Sequence, residues 1–225
     1  FRITIKLPDA VYRAAEEIMT RCSPCLDRKE AIPVCGTKAR RKRGMVLKKK
    51  INVFDYAGDI MKALDKGVLI TTKADGKVDS MTLGWGTLGI DWSLPVFTAY
   101  IRKSRFTKEQ LEKNPEFTVN VPYGAFDPKI LGVCGSKSGR DMDKAKELGL
   151  TLVDPEVISV PAVKELPLTL ECRVVCVEKQ DTDTMPEEIL KEHYPSEKPT
   201  PFGGSLENYH YAFYGQIVSA YMIED

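Results

Sequence analysis

The segment Ile101-Arg-Lys-Ser-Arg-Phe-Thr107 places three cations (Arg102, Lys103, Arg105) and two hydroxyls (Ser104, Thr107) where an alternating strand pattern gives way to a helix-like run, Lys108–Lys113. A helix start presents free N–H groups and the positive end of its dipole, so cations and hydroxyls gathered there suit a phosphate. Strand alternation sends Arg102 to the face opposite Lys103 and Arg105.

Two further stretches carry chemistry. In Ser80-Met-Thr-Leu-Gly-Trp85, small and hydroxyl residues surround one large aromatic, with Gly86 and Gly89 following. Backbone can come close to a flat heteroaromatic ring there, with Trp85 packed against it; the same composition also describes a bulged barrel strand. Leu131–Lys144 is rich in Gly and Ser and precedes a helix, with Ser138 in it and Arg140 beside the cap residue Asp141. It suits an anionic or nicotinamide-type ligand. It lacks the spacing of a phosphate-binding P-loop, and the chain has no Rossmann glycine fingerprint. His210, at the head of the last strand, is placed either to touch a ligand or to sit at an interface. Cys134 either approaches a ring face or is a buried structural thiol. His193 reads as exposed.

The elements that must position these residues are mostly strands. The pattern predicts a helix over Tyr56–Leu64 closed by Gly67, a strand Val68–Thr72, a turn at Asp75-Gly76 and a return strand Val78–Leu83 that runs on to Gly89. Val96–Ile101 follows, with Pro95 at its edge. A Thr107-x-x-Gln110 capping box opens the next helix, and Pro115 follows its end. Phe117–Val121, Leu168–Val177 and Tyr211–Met222 are strands, and Asp141–Leu148 is a helix closed by Gly149. Cys172 and Cys176 share a strand face with Leu168, Leu170 and Val174 and read as core. Residues 181–209 form a polar, Pro-rich surface excursion with a short helix at Glu187–Glu192, either a variable insertion or a lid. Many strands with few short helices suggest a closed or partly closed antiparallel barrel.

Net charge is +1, yet residues 1–50 hold 14 Lys/Arg against 5 Asp/Glu while residues 51–225 hold 19 against 27. Eight cations lie in Lys38–Lys50. An acidic body argues against a nucleic-acid binder, which only the basic cluster would support. No apolar run is long enough for a membrane helix. Phe1–Leu7 alternates, unlike a secretory signal, and the six cysteines show no complete metal pattern; free thiols and a cytoplasmic setting are expected. Residues 1–44 read as a loosely attached or non-native extension ahead of a natural start at Met45. Cys22, Cys25 and Cys35 leave a zinc site one ligand short and a thiol pair open as alternatives.

Ser80–Trp85, Arg102–Thr107, Phe117-Thr-Val-Asn-Val121, Ser138-Gly-Arg-Asp-Met-Asp-Lys144 and His210–Val218 occur in the order found in the flavin reductase-like, FMN-binding split-barrel family. Residues 52–222 resemble that family, and its flavoredoxin branch most. The resemblance implies a mainly β fold with short helices, a Greek-key split β-barrel over residues 45–225, and a homodimer with FMN near the interface. It implies cofactor contacts by Ser80, Met81, Thr82 and Trp85, phosphate contacts by Lys103, Ser104, Arg105 and Thr107, and a nearby loop bearing Cys134, Ser138 and Arg140. No metal is implied. Hydride or electrons would pass between NAD(P)H or a protein donor and an acceptor through FMN. The alternative is a flavin-binding barrel without turnover.

Overall fold

The computed structural model describes residues 46–196, 198–200 and 203–224. The expectations for residues 1–44, including the three N-terminal cysteines and most of the basic cluster, lie outside the described residues.

The described chain is built on one antiparallel eight-stranded sheet. In chain order its strands are β1 (Leu47–Lys50), β2 (Val68–Ala74), β3 (Lys77–Leu83), β4 (Gly86–Asp91), β5 (Leu94–Arg102), β6 (Glu116–Val121), β9 (Leu168–Lys179) and β10 (His210–Glu224). A two-stranded ladder, β7 (Leu152–Val153) with β8 (Ala162–Val163), stands apart. The main order is β3-β2-β6-β9-β10-β5-β4, with β1 attached to β10. The fifteen-residue β10 pairs with β9 along one side and changes partner along the other, from β5 at His210–Gln216 to β1 at Tyr221–Glu224.

The edges of this sheet decide its shape. Strands β3 and β4 lie at opposite ends of the order, yet only Gly84 and Trp85 separate them in sequence. Two linking residues reach about 10 Å at full extension. The sheet must therefore curl until its ends nearly meet, which makes a barrel with a seam. Trp85 begins the far edge, its carbonyl accepting from the Tyr100 N–H at 3.1 Å.

Here the structure departs from the expected single strand Val78–Gly89. It breaks at the seam and adds a second hairpin, β4–β5, turning at Trp92-Ser93 with φ of 48° and 60°. Asn-Gly or Asp-Gly is the usual composition of such a turn, and Asp75-Gly76 (φ 51° and 76°) follows that rule. Trp-Ser does not, so the sequence pattern hid it; the Asp91 carboxylate accepts the Trp92 N–H at 2.9 Å.

Short helices flank the sheet: α1 (Ala57–Lys66), α2 (Phe106–Lys113), α3 (Lys129–Ser136), α4 (Lys144–Leu148) and α5 (Glu187–His193). Helix α3 forms where the Gly- and Ser-rich composition suggests a loop, its two glycines masking Ile130, Leu131 and Cys134. Helix α4 starts three residues later than expected, capped by Asp143 rather than Asp141, the Asp143 side chain accepting the Lys146 N–H at 3.1 Å.

The barrel interior is filled by Val68, Ile70, Phe97, Phe117, Val119, Leu168, Leu170, Cys172 and Phe213, among others. The other face of β2 is also buried, Leu69 packing with Ile130, Cys134, Val163 and Leu166. This accounts for the nearly continuous apolar run of β2. Cys176 is only half-buried: the ladder between β9 and β10 slips register at Tyr214/Gly215, beyond the tight part of the barrel.

Gly215 sits at that slip with no room for a side chain. A Cβ there would lie 2.4 Å from Phe117 and 2.9 Å from Cys172 Cβ. Gly215→Ala is expected to cost about 1–3 kcal/mol through overpacking. Urea denaturation would read it as a lower midpoint with unchanged slope; an unaltered midpoint would show that the bulge yields freely.

Candidate functional site

Because the seam is where the sheet fails to close, it is also where the barrel is open. A cavity of ≈ 620 Å³ lies there, lined by Met81–Trp85 on one edge, by Tyr100, Arg102 and His210 on the other, by Arg105, and by Leu131, Gly132, Gly135 and Ser136 of α3. That is within the range of about 300–1,000 Å³ usual for small-molecule sites. A narrower polar cleft of ≈ 90 Å³ adjoins it and shares the Met81 and Arg105 walls. Ser104, Phe106, Thr107, Lys137–Arg140, Asp79 and Lys144 complete the cleft.

The cationic segment is divided by its backbone. Strand β5 ends at Arg102, and the chain reverses so that Arg105 N–H bonds back to the Arg102 carbonyl at 3.0 Å. This turn brings Arg105 back to the side of Arg102, and both guanidiniums line the cavity. Alternation predicted that Arg102 faces away from Arg105; the pattern stops at the strand end, and so does its authority. Lys103 is exposed, with its ammonium over the Tyr209 ring, and it lines neither cavity nor cleft.

Helix α2 begins at Phe106 with Arg105 as N-cap and no side-chain cap. The expected Thr107–Gln110 box does not form. Thr107 and Gln110 lie inside the helix, buried against the β2–β3 hairpin. There Thr107 Oγ1 donates to Met81 Sδ at 3.6 Å, and Gln110 bonds Thr72 Oγ1 and the Lys77 carbonyl. Partners in the core won over the local cap, and the helix start is left facing the polar cleft.

Arg102 is 8% exposed. Its guanidinium lies over the Trp85 and Tyr194 rings, at 5.6 and 5.7 Å, and its nearest hydrogen-bond acceptor is the Asn208 carbonyl at 3.4 Å. Among the described residues neither Arg102 nor Arg105 forms an ion pair. Burial lowers the pKa of both. A pair of partly desolvated cations without carboxylates favours an anionic occupant.

The excursion is part of this site rather than a free surface insertion. Its helix α5 sets the His193 ring edge-on to Trp85 at 5.0 Å and buries Tyr194, whose hydroxyl bonds His210 Nδ1. Gly204 passes so close to Arg102 that a Cβ would fall 2.6 Å from Nη1. His193, expected to be exposed, is half-buried on Trp85. Its neighbour His210 stacks on the same indole at 4.6 Å.

Several predicted residues stand elsewhere. Ser80 faces away from both openings and bonds Thr71 Oγ at 2.8 Å. Cys134 lies in the α3 core, where burial raises its thiol pKa to about 11, so it does not approach the cavity. Thr82 lines the cavity while its hydroxyl donates to the Leu131 carbonyl at 2.6 Å. Arg140 lines the cleft, but its charge is met by Glu109, and it also bonds the Ser104 carbonyl at 3.2 Å. The sequence singles out neither Tyr100, Tyr194 nor the Asp79–Lys144 pair, names Lys137 only as part of the Leu131–Lys144 stretch, and counts Arg102 among the cations while turning it away from Arg105. Of the pair only Asp79 carries a signal, an acid between Val78 and Ser80-Met81 in a strand; Lys144 lies in a charged run, Asp141–Glu147, that hides it.

The sequence matches the family model described as flavin reductase like domain over residues 61–225, well over half of the chain. The chain belongs to the flavin reductase-like family. Two curated relatives are an uncharacterized protein of Archaeoglobus fulgidus, 35% identical over 99 residues (44% of this chain, 55% of the relative), and the uncharacterized protein YddH of Escherichia coli, 31% identical over 111 residues (48% and 58%). The chain thus spans little more than half the length of these relatives. Among solved structures, flavoredoxin from Methanosarcina acetivorans is similar at TM-score 0.51 and 28% identity, covering 70% of this chain and 68% of its own. An FMN-binding domain of a flavin reductases-like enzyme from Shewanella baltica shares the fold at TM-score 0.53 and 18% identity, covering 79% and 78%. The fold is therefore the split barrel of the flavin reductase-like family. No helix among the described residues is long and apolar enough to cross a membrane, and none of their acidic, His or Cys side chains cluster as a metal site.

His210 is pushed down to about pH 3, first by burial and then by Arg102, Arg105 and His193. A histidine whose folded pKa lies below its ordinary 6.5 binds fewer protons folded than unfolded between those values. Its contribution to stability is intact above about pH 6.5 and is lost as pH falls toward 3. Denaturation at a series of pH values should show this slope flattened in His210→Gln. An identical slope in the variant would mean that His210 titrates normally.

Proposed function

We propose that this chain is an FMN-binding oxidoreductase of the flavin reductase-like family. One observation carries the reading: the unpaired guanidiniums of Arg102 and Arg105 face a cavity of ring-ligand size that opens into a polar cleft at an uncapped helix start. A flat heteroaromatic ring joined to a phosphate matches that combination of shape and charge. The residues present fit FMN. Met81–Trp85, Tyr100 and the small residues of α3 would flank the ring. Arg105, Ser104, the free backbone N–H groups at the start of α2 and the Lys137–Arg140 loop would hold the phosphate.

Bound FMN would supply the chemistry, accepting hydride or electrons from NAD(P)H or a protein donor and passing them on. The chain's own residues bind, orient and exclude water. Burial and Arg102 act in opposite directions on the Tyr194 phenol, burial prevailing to raise its pKa, so the phenol keeps its proton. Its hydroxyl donates to Gln180 Oε1 at 3.2 Å and also hydrogen-bonds Nδ1 of the neutral His210. We further propose a homodimer. Ile90 and Trp92 on the β4–β5 hairpin are 71% and 56% exposed, and Val175 and Val177 on β9 are also open, which is unusual for a monomer's surface.

The test is the visible spectrum after FMN addition and desalting, followed by anaerobic addition of NADH or NADPH. A retained two-band spectrum that bleaches on donor addition is expected. Protein that retains no FMN would refute the reading; retention without bleaching by any donor would favour a non-catalytic flavin module. Arg102→Ala and Arg105→Ala should each weaken FMN binding about 10–100-fold, the worth of one charge-assisted contact. Unchanged affinity in a folded variant would remove that arginine from the site.

A further inference from the structure

Beneath the polar cleft lies a buried ion pair that no step above uses. Lys144 Nζ stands 3.1 Å from Asp79 Oδ1, with both side chains 2% exposed. The same ammonium donates to the Ser80 carbonyl at 2.7 Å. Asp79 and Ser80 belong to β3, one edge of the seam; Lys144 opens α4, which follows the cleft loop 137–143. Lys144 is therefore a tie between that loop and β3, made of one charge pair and one backbone bond.

The loop is fitted to this tie. Gly139 passes directly over the Asp79 carboxylate, where a Cβ would fall 2.3 Å from both Cγ and Oδ1. The other end is held by Arg140, through the Ser104 carbonyl and Glu109 on α2. Lys137 and Ser138 line the cleft between these anchors, opposite the start of α2. A buried pair of this kind contributes little net stability over an apolar substitute, because desolvation offsets attraction. Its cost is easier to understand if the pair sets geometry.

We propose that Asp79 and Lys144 are positioning residues for anion recognition: their ion pair, with Gly139 seated on it, holds the 137–140 loop at the distance from α2 that the ligand's phosphate requires. The proposal rests on the reading of the cleft as the FMN phosphate site. It assigns selectivity for FMN over riboflavin, which has the same ring and lacks the phosphate, to two residues that need not touch the ligand.

The experiment compares FMN and riboflavin affinities by fluorescence quenching in the full chain and two variants. Asp79→Asn breaks the pair. The double variant Asp79→Asn with Lys144→Gln removes both charges and keeps the fold accessible if a lone buried lysine does not; circular dichroism and thermal melting identify the folded variants. The expected result is an FMN affinity lowered about tenfold or more, comparable to one charge-assisted contact, with riboflavin affinity unchanged and therefore a collapsed FMN-to-riboflavin ratio. Gly139→Ala, which presses on Asp79 without altering charge, should move the ratio the same way. An unchanged ratio in a folded double variant overturns the proposal. Equal loss of both affinities also overturns it, since that is the behaviour of a merely structural pair. A native chain that binds both ligands equally, or neither, defeats instead the phosphate reading of the cleft and removes the basis of the proposal.

Discussion

Everything about the site follows from the two-residue step between β3 and β4. Chain length alone forces the first and last strands of the main order to within about 10 Å of each other, yet no ladder joins them. The result is a curved sheet with one unpaired seam, whose backbone groups and side chains are available to something other than a neighbouring strand. The barrel supplies rigidity and the seam supplies access, and the two come from one constraint.

The charges at the seam are arranged at a cost to stability. Arg102 and Arg105 share a partly desolvated space, and each makes the other's charge less favourable there. Elsewhere the fold meets its buried charges carefully. Glu171, fully buried, accepts three backbone N–H groups of residues 156–158 and the Tyr221 hydroxyl. Lys144 is matched by Asp79. The two arginines are the contrast: neither meets a carboxylate among the described residues, and Arg102 is held by two aromatic faces and a single long hydrogen bond. A molecule that neutralises them would stabilise the native state in proportion to its occupancy.

The strands were legible where alternation and turn chemistry agreed, as in β2, β3, β6 and the Asp75-Gly76 hairpin. The reading failed where tertiary contacts override local signals. Trp92-Ser93 turns without turn residues. Thr107 and Gln110 have the spacing of a cap but spend their polar groups on the β2–β3 hairpin. Helix α3 forms in a glycine-bearing run because Ile130 and Cys134 have a hydrophobic surface to cover. For the site, the motifs mark separate stretches of chain, of which Met81, Thr82, Trp85 and Arg105 line one cavity. Ser80 and Cys134 do not, because a side chain's direction is settled by register and packing rather than by its neighbours in sequence. Tyr194 and Gly204 could not have been foreseen: nothing local tells a polar excursion that it must fold back on an arginine a hundred residues earlier.

Strand β10 has a consequence for how the protein comes into being. It supplies His210 to the cavity and holds β5, the wall that carries Tyr100 and Arg102, while its other end binds β1. These partners are separated by more than a hundred residues of chain, so their pairing is a slow, high-loop-entropy event. A growing polypeptide can form the β2–β3 and β4–β5 hairpins early, but it has no enclosed cavity until this strand has been synthesised and has docked. Any ligand of the cavity must therefore be loaded after synthesis of the barrel is complete, and until then the nascent sheet carries unsatisfied strand edges that need shielding from other chains.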